Sequence, residues 1–228
     1  ESGWGSRQSL NQLINVIGDG YSPSRIIFYD GVNDVEHQCR KENNIVPSHP
    51  REKRINQLLT ASLNKTIFIK ITEFITNPYK KLINKLNPNN LRYDDFYDCD
   101  SNPEKSISIA KHLLNNWYSA YLIANSKDSK FMGILQPTIF TSDTNFDYFT
   151  KKEKNRITYL SKQYKAVYPH VISQLKIICE KDVKFCNSIV DGRYWLNKKE
   201  FIFTDFCHVN GKGNKFIAER ILKEDYEN

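Results

Sequence analysis

The stretch Arg25–Asn44, RIIFYDGVNDVEHQCRKENN, decides the fold. Ile26, Ile27, Phe28 and Tyr29 form an apolar, β-prone run of strand length. They lead straight into Asp30-Gly31-Val32-Asn33-Asp34. A Gly and short polar side chains after a buried-type strand have two meanings. One is ordinary turn chemistry. The other is a functional loop at the carboxyl end of a parallel strand, where open α/β sheets bind their ligands.

The elements on either side favour the second meaning. Before the strand, residues 6–17 place Leu10, Leu13, Ile14 and Ile17 on one helical face. After it, residues 34–50 read as a polar connection, and residues 51–64 and 66–87 as basic helices broken near Asn77-Pro78. A loop follows, with Ser101 as the expected cap of a helix over 103–127. KFMGILQP (130–137) is a second buried-type strand and 151–181 a long helix. DVKFCNSI (182–189) is a third strand candidate, and KFIAERILKE (215–224) a terminal helix. Alternating helices and strands indicate an α/β domain with a parallel sheet. The 228 residues suffice for one such domain with a full core.

Composition narrows the classes. At 39% hydrophobic and 13% aromatic the chain is a folding sequence. No run approaches the roughly 18 apolar residues of a membrane span, and the first residues carry no signal-peptide pattern. The net charge of +7 is spread over scattered lysines with no nucleic-acid motif, so it reads as a solvated basic surface. The five cysteines have no C-x-x-C spacing, which argues against zinc-finger or thioredoxin chemistry. Cys39 and Cys99 lie in polar, loop-like surroundings that suit a disulfide in an exported protein; five reduced cysteines in a cytoplasmic one is the alternative.

Two motifs carry chemistry. Gly31-Val32-Asn33-Asp34 follows a strand, and Asn33 offers an amide that can donate to an oxyanion. Asp205-Phe206-Cys207-His208 places a carboxylate three residues before a His, which suits an oriented general base. Gln136 at a strand end is a further candidate for lining a cleft. Tyr194-Trp195 is a substrate wall or an apolar loop anchor. His37, His49, His112 and His170 lack partner spacing and read as structural.

In this chain order the motifs resemble those of the SGNH hydrolase family, the GDSL esterases and lipases. GVND is similar to that family's third block and DFCH to its fourth. ESGWGSRQSLNQL is similar to the second, with Gly3 in the place of the oxyanion glycine. HVNGKGNKFIAERI fits the segment after the fourth block. The resemblance implies a three-layer α/β/α domain with a flavodoxin-like parallel sheet over 1–228 and a helical insertion at about 36–128. It implies an ester hydrolase, or an acyltransferase of the same fold, acting on a small-molecule or carbohydrate ester such as acetylated carbohydrate, or on lipid. His208 would act as base, Asp205 would hold it, and Asn33 with the Gly3 amide would form the oxyanion hole. No metal or organic cofactor is implied.

The family's first block, Gly-Asp-Ser, has no match. GDGYS at 18–22 has Gly where the Ser belongs and follows the second block. Ser2 and Ser6 lie near the right loop, but neither follows a strand that would fix it. Three accounts stay open: a sequence that is part of a longer enzyme, a nucleophile strand on a separate chain, or a non-catalytic relative. In the family the absent block supplies a strand beside the one at 26–29.

Overall fold

A computed structural model describes residues 3–41, 43, 96–144, 147–198 and 200–227. The expected helices at 51–64 and 66–87 lie outside the described residues, as do His49 and Ser2. In chain order the elements are α1 (Ser6–Gly18), β1 (Arg25–Asp30), α2 (Val32–Gln38), α3 (Pro103–Asn125), β2 (Lys130–Leu135), α4 (Lys151–Cys179), α5 (Val183–Asn187), β3 (Ile189–Asp191) and α6 (Gly211–Glu227). The strands form one parallel sheet in the order β1-β2-β3. Ile26 pairs with Phe131, and Leu135 with both Asp30 and Asp191, so the carboxyl ends of the strands lie side by side. The α/β class with a small parallel sheet is thus the observed architecture.

Alternation along the strands sorts the apolar residues onto two faces. Ile26, Phe28, Phe131 and Leu135 enter the main core with Leu10 and Leu13 of α1, Leu113, Leu114 and Trp117 of α3, and Leu160, Tyr164 and Tyr168 of α4. Met132, Ile134 and Val190 form a second, small cluster, against which Tyr29, Trp195 and Ile221 of α6 pack. Gly133 lets α3 come close: a Cβ there would sit 3.1 Å from the Trp117 ring and 2.8 Å from Ile189 Cδ1. Trp195 is an apolar anchor, and Tyr194 is 57% exposed beneath the Arg193 guanidinium.

Several boundaries differ from the sequence expectations, each for a local reason. The stretch after GVND is helical from Val32, because Gly31 turns the chain at φ +118° and its carbonyl accepts the Val35 N–H at 3.1 Å. Val32, Val35 and Cys39 are the face this short helix buries. The cap of α3 is Asn102, not Ser101: its side chain accepts the Lys105 N–H, and Pro103 opens the first turn. Residues 183–187 are a helix and not a strand, since Asp182 caps Phe185 N and Cys186 is bonded to Cys179 on α4. Only Ile189–Asp191 is left as β3. The last helix starts at Gly211, where the Asn210 side chain accepts the Gly213 N–H. The stretch at about 36–128 includes α3, whose Ile109, Ala110, Trp117, Ala120 and Ala124 are at most 1% exposed. That helix packs in the core.

A neck precedes α3. Cys39 and Cys99 form a disulfide, Arg40 pairs with Tyr97 in an antiparallel bridge, and Lys41 N donates to Phe96 O at 2.9 Å. The buried Lys105 ammonium donates to Arg40 O and to Asp98 Oδ1, both at 2.8 Å. Of the expected alternatives for the cysteines, the structure has two disulfides and one free thiol, Cys207. Among the described residues no helix is long and apolar enough to cross a membrane.

Candidate functional site

The site begins at the end of β1. Tyr29 is followed by Asp30, which turns inward: Oδ1 accepts Ser9 Oγ–H at 2.9 Å and Oδ2 accepts Trp117 Nε1–H at 3.1 Å. Gly31 then supplies the positive φ. A Cβ at this position would meet Leu135 Cδ1 at 2.7 Å and the Tyr168 hydroxyl at 3.2 Å. That is why the strand ends in Gly: no other residue fits both the dihedral and the space. Val32 N donates to Gln136 Oε1 at 3.2 Å, so Gln136 ties the ends of β1 and β2 together rather than standing free in a cleft.

Asn33 and Asp34 open α2 and receive the segment that precedes α1. Asn33 Nδ2 donates to Trp4 O at 2.7 Å. The Asp34 carboxylate accepts the Ser6 N–H at 3.0 and 3.1 Å and the Ser6 hydroxyl at 2.6 Å. Asn116 Nδ2 donates to Ser6 Oγ at 2.9 Å. A Cβ on Gly5 would lie 3.2 Å from Asp34 Oδ1, so the close approach requires glycine. GWGS and GVND therefore dock directly, which puts Gly3 and Asn33 in one neighbourhood. Gly3 has φ +86°, and a Cβ there would lie 3.8 Å from His37 Nε2. Beside them is a cleft of about 20 Å³ lined by Gly5, Arg7, Gln8, Asn33, Asp34 and His37, room for about one water. Ser6 is fully buried with its hydroxyl directed at a carboxylate, which removes it as a nucleophile.

Burial sets the electrostatics here. It pushes the Asp30 carboxyl up to about 7, reinforced by the charge of Asp34 and opposed by the Trp117 and Ser9 hydrogen bonds. Burial also raises Asp34, against the hydrogen bonds from Ser6. His37 is lowered by burial, with Glu36 pulling the other way.

The second motif lies on the loop between Phe203 and Val209, whose bridge closes it. Thr204 N donates to His208 O at 2.8 Å. Within the loop, Asp205 Oδ1 accepts the backbone N–H groups of Cys207 and His208, both at 2.8 Å. Its other oxygen, Oδ2, lies 2.6 Å from His208 Nδ1. Burial raises the Asp205 carboxyl, but the two N–H groups and His208 outweigh it and hold the group below its usual value. The His208 side chain is 72% exposed, so its other face is open to solvent.

Phe206 anchors the loop to the strand ends. Its ring is 6.0 Å from Tyr164, and the Arg156 guanidinium lies 5.3 Å over its face. Tyr164 in turn donates its hydroxyl to Val32 O at 3.0 Å, and Phe206 O accepts the Ile139 N–H at 3.0 Å. The DFCH loop and the start of α2 thus share one buried tyrosine at the same end of the sheet.

The sequence motifs contain Asp205, His208, Asn33 and Gly3; the structure bonds Asp205 to His208 and Asn33 to Trp4 O, the residue next to Gly3. Reading by motif missed the buried carboxylate network of Asp30, Asp34, Ser6, Ser9, Asn116 and Trp117. Its only sequence signal is Asp30 at an inward strand position. Reading by motif also missed a metal-competent cluster: ligand atoms of Asp205, Cys207 and His208 all lie within 4.8 Å of one another. Comparisons with known proteins add no relative, because no protein-family model, curated protein or solved structure matches this chain.

Proposed function

We propose that the chain carries the base and oxyanion parts of an SGNH-type ester hydrolase. The observation that carries this reading is the 2.6 Å contact between His208 Nδ1 and Asp205 Oδ2, on an exposed loop at the carboxyl ends of parallel strands. With Nδ1–H donated to Asp205, His208 Nε2 keeps a lone pair facing solvent and can take a proton from a serine hydroxyl. Asn33 spends one amide hydrogen on Trp4 O and keeps a second for an oxyanion. The Gly3 N–H is the companion donor. Substrates are esters of small molecules, with acetylated carbohydrate or lipid the class suggested by the resemblance; acyl transfer is the variant of the same chemistry.

Gly-Asp-Ser does not occur in this sequence, and in this reading the serine would sit on a strand beside β1. Among the described residues β1 is an edge strand, with β2 on one side of it, and Ile27 is 41% exposed, which supports this. A strand added there would extend the parallel sheet towards the three-layer flavodoxin-like arrangement. Two disulfides favour an oxidising compartment. A second reading, a binding module without catalysis, is favoured by the commitment of Ser6 and Ser9 to buried carboxylates.

The test is turnover of p-nitrophenyl acetate by the chain alone and with a Gly-Asp-Ser strand joined upstream. The chain alone is expected to be silent and the extended chain active. In the active form His208→Ala lowers turnover by orders of magnitude, and Asn33→Ala by roughly 10²–10³-fold. A folded, serine-bearing chain without turnover leaves the binding module as the reading.

A further inference from the structure

We propose that Asp205, Cys207 and His208 form a binding site for a thiophilic divalent cation, zinc above all. Each offers one ligand atom, and all three lie within 4.8 Å of one another. Cys207 Sγ is 3.6 Å from His208 Nδ1, and Asp205 Oδ2 is 2.6 Å from the same nitrogen. A tetrahedral ion with bonds of about 2.0–2.3 Å to oxygen, nitrogen and sulfur needs its ligands roughly 3–3.7 Å apart. Nδ1 and Sγ already have that spacing; Asp205 Oδ2 reaches it by moving about half an ångström away from Nδ1, with Sγ no more than 4.8 Å from it at the start.

The carboxylate is already committed to one-oxygen ligation. Oδ1 is held by two backbone N–H groups, which leaves Oδ2 facing the imidazole. All three ligands come from four consecutive residues on a loop closed by the Phe203–Val209 bridge, so little chain entropy is lost on binding. The His208 side chain is 72% exposed, which leaves solvent access for a water as fourth ligand. Sulfur and imidazole donors select zinc and its soft neighbours over magnesium or calcium.

The charges and protons balance. Cys207 Sγ–H releases its proton to solvent as the sulfur–metal bond forms. A dication then meets one thiolate and one carboxylate, giving a neutral site. The Nδ1 proton is displaced and the neutral imidazole carries its proton on Nε2. That tautomer has no Nε2 lone pair, so a filled site cannot accept a proton from a nucleophile. Coordination stands apart from the ester-hydrolase reading; only this blocking consequence rests on it.

Cobalt(II) titration of the 228-residue chain tests the site without any turnover assay. Cys207 is the only cysteine outside the two disulfides, so a thiolate-to-cobalt charge-transfer band reports it alone. The band is expected to saturate at one ion per chain, to be removed by Zn²⁺ and to survive excess Mg²⁺. Cys207→Ser abolishes the band, and both Cys207→Ser and Asp205→Asn weaken Zn²⁺ binding at least about ten-fold. Nitrogen-15 imidazole spectra should show His208 moving to the Nε2–H tautomer as Zn²⁺ is added. Folding of each variant is checked by circular dichroism. A folded protein that gives no thiolate band, or a Cys207→Ser chain that binds Zn²⁺ as tightly as the parent, overturns the proposal. Persistence of Nδ1–H at saturation overturns the blocking step. Zinc held by other histidines produces no thiolate band and counts against the site.

Discussion

Asp34 Oδ1 accepts the Ser6 hydroxyl at 2.6 Å across 28 residues of sequence, and the same carboxylate accepts the Ser6 backbone N–H. The contact fastens the start of α1 to the start of α2, and it is 2% exposed at Asp34 and fully buried at Ser6. A hydrogen bond to a charged or strongly polar group contributes roughly 1.5–3 kcal/mol, and losing it leaves a buried acceptor short of a donor. Ser6→Ala should therefore lower unfolding stability by about 2 kcal/mol. Asp34→Ala should cost more, because it strands Ser6 N–H as well. Urea denaturation measures both, and a Ser6→Ala midpoint equal to the parent's would show that the contact does not anchor α1.

The neighbouring Asp30 gives the fold a pH dependence of unusual sign for a carboxylate. Burial, then the charge of Asp34, lifts it to about 7 in the native state, while an unfolded Asp sits near about 3.9. The native state thus binds the proton more tightly than the unfolded state. Its contribution to stability is fully present below about pH 4 and is lost as the pH rises through about 7. Thermal melts should show the midpoint falling between pH 5 and pH 8, by roughly a few degrees. Asp30→Asn removes the charge and keeps one acceptor, for Trp117 Nε1–H, while its amide N–H turns to the Ser9 hydroxyl, which can accept. Its melting point should be flatter across the same window; an identical slope in the variant would assign the effect to another group.

Gly31 combines a left-handed φ of +118° with a Cβ position 2.7 Å from Leu135 Cδ1. Gly31→Ala meets both backbone strain of about 1–2 kcal/mol and overpacking of about 1–3 kcal/mol. A loss of about 2–5 kcal/mol is expected. Leu135→Ala combined with Gly31→Ala should recover part of the overpacking and none of the strain, so the two losses are less than additive. Strict additivity in denaturant titrations would contradict the close approach.

The strands and long helices were legible because their signals are local. The apolar runs 26–29 and 131–135 and the long helical pattern at 151–181 each announce their element. The short pieces were not. Val183–Asn187 is rich in strand-prone residues, yet Asp182 and the bond from Cys186 to Cys179 hold it helical. Asp205 and His208 were legible as a pair because three residues separate them. Asp34 and Ser6 were not, since 28 residues intervene and nothing in the spacing says that a serine backbone will meet that carboxylate. Ser6 was visible as a polar residue near a candidate loop, and only the fold turned it from a possible nucleophile into an anchor.

The two disulfides should differ in what they contribute, because they close loops of very different length. Cys39 and Cys99 are 60 residues apart; Cys179 and Cys186 are 7 apart. On loop-closure entropy alone the first restricts the unfolded chain by about 4 kcal/mol and the second by about 2.5 kcal/mol. The long loop also has other ties at its neck, the Arg40–Tyr97 bridge and the Lys105 ammonium on Arg40 O and Asp98. Those ties act only in the native state, so they do not replace the constraint that the disulfide puts on the unfolded chain. Cys39→Ala/Cys99→Ala should therefore lose more stability than Cys179→Ala/Cys186→Ala, with both pairs compared by urea denaturation of oxidised protein. The order should reverse for the local helix: only the second pair should lower amide protection at Phe185 and Cys186, where Asp182 alone is left to hold α5. A larger global loss from the short-loop pair would mean that α5 contributes more to the core than the neck does, through Phe185 among Tyr118 and Tyr121.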